Sequence, residues 1–271
     1  MTAGICYVGF SPHFIHLAAV SAYTLRKQHY DGPITILTDV PNYLPALERD
    51  GGVTCTMSPI PHRRAVRAPA YYIKSLLPEI SPYESTLFLD ADTLVDGDIS
   101  PLLQAESSDA ILLAKHPDGR VQDSGRAKQR LESLVERGQL HPSRLKLFIT
   151  QNAWAINSGM ISFTRKLRMP SKRWQDTTLL LDNHVLHDEL ALQIIYPDYP
   201  HVLVGTEYNR LINREPTAKT AIVWHYTNKY IGLGRAAALY CETLTEMWDK
   251  DWAGCRGWYE GDIDMLRPFT G

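Results

Sequence analysis

The sequence predicts an α/β fold in which a mainly parallel central sheet is covered by helices on both faces. Three observations carry this reading. Short apolar runs alternate with stretches of helical spacing through the first half of the chain, which implies right-handed crossovers between parallel strands. One of those runs, STLFLDADT (85–93), breaks abruptly at an acidic cluster. The chain is 271 residues long and 44% hydrophobic, enough to bury one sizeable core.

The elements follow in order. ICYVGF (5–10) reads as a strand, and Ser11-Pro12 as an N-cap followed by proline at the first helical position. The helix behind it carries Phe14, Leu17, Ala18, Ser21 and Leu25 at helical spacing. Asp31-Gly32-Pro33 closes the connection, and ITILTD (34–39) and VTCTMS (53–58) are the next strands. A helix over 70–77 (AYYIKSLL) leads into the 85–93 strand, and DAILLAKH (109–116) is one more strand. Residues 117–150 break the alternation: polar, of mixed charge and weakly helical, they read as an insertion or lid. AWAINSGMISF (153–163) is a strand interrupted by a small polar turn. Helices near 171–182 and 188–196 and late strands HVLVGTEYN (201–209) and AIVWHYT (221–227) complete a single domain over 1–271. Residues 235–271 form a helical extension with an aromatic end, Trp248, Trp252, Trp258 and Tyr259, read as a clasp on the core or as a platform for a sugar.

Composition excludes several functions. A net charge of −2 offers no basic excess for nucleic acid or an anionic membrane. No apolar run approaches the roughly 18 residues of a spanning helix, so no transmembrane segment is expected. The opening MTAGICYVGF lacks the basic region and long apolar stretch of an export signal. The four cysteines, Cys6, Cys55, Cys241 and Cys255, have no CxxC spacing, so free thiols are expected rather than disulfides or structural zinc. The expectation is a soluble cytoplasmic enzyme.

The sharpest chemical signal is FLDADTLVDGD (88–98). In open α/β sheets ligands collect outside the carboxyl ends of the strands. Asp90 and Asp92, separated only by the small Ala91, can there face a hard divalent cation. Asp96 and Asp98 read as an acidic turn. Two enzyme classes place such a DxD after an apolar strand. In haloacid-dehalogenase-like phosphohydrolases Asp90 would be a nucleophile, but on their first strand, with a later Ser/Thr, Lys and acidic pair for which this chain offers no convincing set. In nucleotide-sugar glycosyltransferases of the GT-A fold the pair holds Mn²⁺ or Mg²⁺ on a diphosphate.

The remaining motifs separate the two. IKSLLPEI, STLFLDADTLV, INSGMISF, HDELALQII and WHYTNKYIG, in this order and spacing, resemble glycosyltransferase family 8 over roughly residues 5 to 232. The resemblance implies a GT-A α/β/α sandwich and a hexosyltransferase using a nucleotide diphosphate sugar, by family default UDP-linked, with retention. It implies a carbohydrate or glycoside acceptor. The alternatives are the phosphohydrolase and a non-catalytic nucleotide-sugar binding protein.

By the family pattern Asp90, Asp92 and His225 would be metal ligands, and an imidazole beside two carboxylates suits Mn²⁺ somewhat better than Mg²⁺. Lys229 and Gly232, after that histidine, would contact the diphosphate. Arg67 and Lys74 would neutralise phosphate or steady the carboxylates. Asn157, Ser158 and Gly159 interrupt a strand, where amide and hydroxyl groups can meet sugar hydroxyls and glycine permits close approach. Asp188 and Glu189 open a helix, a place where carboxylates are favoured anyway. Functionally they would lie under the donor sugar, Asp188 on its hydroxyls and Glu189 as nucleophile or electrostatic stabiliser. Gly9, Phe10 and Ser11 after the first strand and Asp39 after the second would receive the nucleoside, with Phe10 stacking on the base.

Overall fold

The structure, a computed structural model, describes residues 2–58, 69–103, 110–165, 171–181, 184, 186–226 and 234–257. Strands β1 (Ala3–Val8), β2 (Ile34–Thr38), β3 (Val53–Met57), β4 (Ser85–Leu89), β6 (Ile111–Arg120), β7 (Trp154–Thr164) and β8 (His201–Val204) form one sheet of seven in the order β3-β2-β1-β4-β7-β6-β8. The first four are mutually parallel, and β6 and β8 are parallel to each other. Strand β7 runs antiparallel to both β4 and β6. The α/β fold class and the mainly parallel sheet expected from the alternation are both present.

Side chains of the central strands alternate between two cores, as the pleat requires. Ile5 and Tyr7 of β1 and Leu87 and Leu89 of β4 point to one face, which is covered by α1 (Ser11–Lys27) and α9 (Gly234–Lys250). Cys6, Val8 and Phe88 point to the other, under α3 (Pro69–Ile80), α5 (Gly125–Glu136), α6 (Pro142–Thr150), α7 (Ser171–Leu180) and α8 (His187–Ile195). Burial on both faces is why these strands read as continuous apolar runs. The segment after residue 117 extends β6 and then folds into α5 and α6, whose Leu131, Leu134 and Phe148 are buried in this second core. At the far end Trp248 and Trp252 pack against the first core, while Trp258 and Tyr259 lie outside the described residues. All four cysteines are free, and burial pushes the Cys6 thiol up to about 12.

Two local readings differ from expectation. Ser11 is not an N-cap: it takes a left-handed φ of 70° and its N–H is received by the Asp39 carboxylate at 2.9 Å. The donor at this helix start is met from the end of β2 instead. The Asn157–Gly159 stretch does not interrupt its strand. β7 is continuous but bulged, because Leu113 pairs with Ile161 while the next residue, Ala114, pairs with Asn157.

A second, three-stranded sheet builds the functional edge. β5 (Thr93–Val95) peels away from the end of β4 and pairs antiparallel with β10 (Val223–His225), whose other side is joined by β9 (Arg210–Leu211). This register sets His225 opposite Thr93, and the Tyr226 N–H donates to the Asp92 carbonyl at 3.1 Å. A buried hydroxyl relay anchors the turn between β4 and β5: Tyr7 donates to Ser21, Ser21 to Thr93, and Thr93 to the Asp90 carbonyl at 2.8 Å. Thr93→Val keeps the shape but leaves the Ser21 hydroxyl and the Asp90 carbonyl without this partner. It is expected to cost about 1–3 kcal/mol, read as a lower denaturant midpoint at unchanged slope.

Candidate active site

The carboxyl end of β4 opens into a cleft of about 270 Å³ whose lining includes Phe10, Lys74, Asp90, Ala91, Asp92, Asn157, Ser158, Asp188, Glu189 and His225. Ten of the residues singled out in the sequence thus meet in one concavity. Gly159 lies beneath them: a Cβ built on it would stand 2.6 Å from the His225 ring, and its carbonyl receives the Asp90 N–H at 2.8 Å. Only glycine leaves room for that imidazole to lie against β7. Gly9 donates its N–H to Leu37, and Ser11 and Asp39 are bound to each other at the neighbouring strand ends. Arg67, Lys229 and Gly232 lie outside the described residues.

At the floor, the carboxylates of Asp90 and Asp92 and the His225 ring present ligand atoms within 4.8 Å of one another. His225 Nε2 stands 3.3 Å from Asp92 and 3.7 Å from Asp90. The donor set is right for a divalent cation: two hard carboxylates plus one imidazole. The tautomer fits as well. Asn209 gives its amide N–H to Asn157, so its oxygen is free to accept from His225 Nδ1 at 3.0 Å. That bond keeps the proton on Nδ1 and turns the Nε2 lone pair toward the acids, the outer support a ligating histidine needs. In the protein alone, burial opposes charge on the imidazole, but the facing Asp92 outweighs it and holds the His225 pKa above its usual value. The Asp92 carboxyl, raised by burial, is brought below its usual range by the same pairing. Burial dominates at Asp90, whose carboxyl is held up despite Lys74.

Lys74 joins the floor to the wall. Its ammonium, 5% exposed, bridges Asp90 at 2.8 Å and Asp188 at 3.0 Å. Burial works against that charge, and the two carboxylates overcome it, so the pKa is raised. Asp188 also receives the Ser158 hydroxyl at 2.9 Å on the same oxygen. Its other oxygen, Oδ1, is buried with no hydrogen-bond partner, an unmet acceptor beside the cleft. The αL-positioned Leu186 precedes α8 and so presents Asp188 and Glu189 from its first turn. The Trp174 indole N–H donates to the Asp188 carbonyl and fixes that turn at its back.

Glu189 is held on both oxygens, by Arg130 at 2.8 Å and by the Asn157 amide at 2.8 Å. Arg130 comes from α5, inside the 117–150 segment, and sequence reasoning missed it. On the sequence it is one of several charges on a polar helix, and only its spacing, one turn before the buried Leu134, marks its side of α5 as inward. Asn209 was also missed, because it follows a single 3₁₀ turn that carries no pattern of its own.

The sequence matches the family model for glycosyl transferase family 8 over residues 53–230. Among solved structures, the bifunctional glycosyltransferase WbbM in its apo form superposes with a TM-score of 0.62 at 14% identity, over 89% of this chain and 49% of that one. This chain therefore spans about half the length of WbbM. The galactosyltransferase LgtC, in complex with donor and acceptor sugar analogues, gives 0.57 at 13% identity over 88% and 95%. Mouse xyloside xylosyltransferase 1 gives 0.58 at 10% identity over 85% and 99%. No curated protein matches the sequence. At these identities the structures speak for the GT-A fold, and the family match speaks for the activity: the chain belongs to glycosyltransferase family 8 and is a glycosyltransferase.

Proposed function

We propose that this protein moves a hexose from a UDP-sugar to a hydroxyl of a carbohydrate or glycoside, with retention, and depends on a divalent cation, Mn²⁺ in preference to Mg²⁺. The observation that carries this reading is the convergence of Asp90, Asp92 and His225 beneath a wall formed by Asp188 and Glu189. Held by those three residues, the cation would act as a Lewis acid toward the diphosphate on which charge grows. In the transfer, the bond from the anomeric carbon to the β-phosphate oxygen breaks and a bond to the acceptor oxygen forms. The acceptor proton leaves with the UDP.

The protein's own groups orient the sugar and answer its charge. Asp188 Oδ1 accepts a donor-sugar hydroxyl, which satisfies an otherwise unpaired buried oxygen. Lys74 bridges Asp188 and Asp90 and holds the two side chains in place. Glu189 sits under the reacting carbon and stabilises its oxocarbenium character. Because Arg130 and Asn157 occupy one oxygen each, Glu189 serves as a fixed negative charge rather than as a nucleophile. Phe10 and Asp39 Oδ2 receive the nucleoside, and Arg67, Lys229 and Gly232 contact the diphosphate.

Calorimetric titration with UDP tests this. Binding is expected with Mn²⁺ and is expected to weaken at least tenfold with chelator, while binding indifferent to chelator, or none, contradicts the reading. Asp92→Asn is expected to abolish metal-dependent sugar transfer with the fold retained, and full activity would remove the metal assignment. Gly159→Ala, which forces the His225 ring to shift, is expected to weaken Mn²⁺ by about 10–100-fold in a direct titration.

A further inference from the structure

The cleft continues past Leu186. That side chain lines both the cleft and a second hollow of about 340 Å³, bounded by Arg126, Gln129, Arg130, Ser133 and His184. Arg126, Gln129, Arg130 and Ser133 are spaced three and four apart and so share one face of α5. A narrow void lined by His116, Asp118, Arg126 and Arg130 lies between the same helix and Glu189, which it shares with the donor cleft.

The described lining of this hollow is cationic. Among its described lining residues are two guanidiniums and an imidazole, and no carboxylate. Arg130 is committed, through Nη1 to Glu189 and through Nη2 to the Leu186 carbonyl at 3.2 Å. Arg126 is exposed and carries no carboxylate partner among the described residues. The field is felt nearby: burial lowers the His184 pKa, and the Arg137 and Arg130 cations lower it further. Leu186 itself takes a left-handed backbone, φ 56°, which leucine adopts only when its surroundings hold it there. Arg130 donates to its carbonyl where the two spaces meet.

We propose that this hollow receives the acceptor and selects one bearing an anionic group, phosphoryl or carboxylate, near the hydroxyl that is glycosylated. The inference rests on the glycosyl-transfer reading and adds the acceptor's chemical class to it. A guanidinium with no carboxylate partner among the described residues offers paired N–H donors that match either oxyanion. The His116 ring lines the adjoining void. Its Nδ1 accepts the Asp118 N–H at 3.0 Å, so the proton resides on Nε2.

Ligand-observed NMR on the protein with UDP and Mg²⁺ tests this, using glucose 6-phosphate, glucuronic acid and neutral methyl glucoside as probes. At least one charged probe is expected to bind tenfold or more tightly than methyl glucoside, and which one does so separates phosphoryl from carboxylate. Arg126→Glu is expected to erase that preference and Arg126→Lys to restore part of it, with thermal melts confirming that each variant is folded. Charged probes that bind no better than the neutral one, or not at all, overturn the proposal, as does a preference that survives Arg126→Glu. A UDP titration of the same samples separates the two readings: UDP binding without anionic preference removes the acceptor class alone, and absent UDP binding removes the donor reading.

Discussion

Four carboxylates crowd one small cleft, and the site depends on a placed partner for each of them. Asp90 and Asp92 lie in the turn after β4 and Asp188 and Glu189 in the first turn of α8, and both pairs line the cleft at the carboxyl end of β4. Two like charges 4 Å apart repel by about 4 kcal/mol at the effective dielectric near a protein surface. The fold answers each with a placed cation or donor: Lys74 between Asp90 and Asp188, Arg130 on Glu189, and His225 against Asp92. What is left at the floor is a surplus of negative charge with converging lone pairs, which is what a divalent cation and its diphosphate would neutralise together.

The same requirement explains the architecture around the cleft. β5 leaves the large sheet directly after Asp92 and pairs with β10, so a histidine distant in sequence is delivered beside the acids by strand register and not by a flexible loop. The hydroxyl relay from Tyr7 to the Asp90 carbonyl and the Gly159 carbonyl on the Asp90 N–H hold the turn from both sides. The floor is carried by a turn bonded from both sides and by a paired strand, the kind of held geometry an electrostatic site requires.

Much of this was legible in the sequence, for a definite reason. Strands buried on both faces must be apolar throughout, so β1, β2 and β4 announce themselves, and acids at the end of such a run stand out against it. Family order then linked Lys74, Asn157, Asp188 and His225, which no local pattern relates. Features made by tertiary pairing were not legible. Asn209 acts through a two-residue strand and a single 3₁₀ turn, Arg130 through the face a polar helix happens to bury, and Asp39 through a cap it donates to another element. The bulge in β7 looked like a break because its small polar residues carry no strand propensity, yet the neighbouring strands impose one.

The central claim is that Asp90, Asp92 and His225 share a single ion. Anomalous diffraction from crystals soaked with Mn²⁺ and UDP measures it most directly. The account predicts one strong peak bounded by both aspartate side chains, His225 Nε2 and the two phosphates. A peak elsewhere, or none with UDP bound and His225 still paired to Asp92, would contradict it.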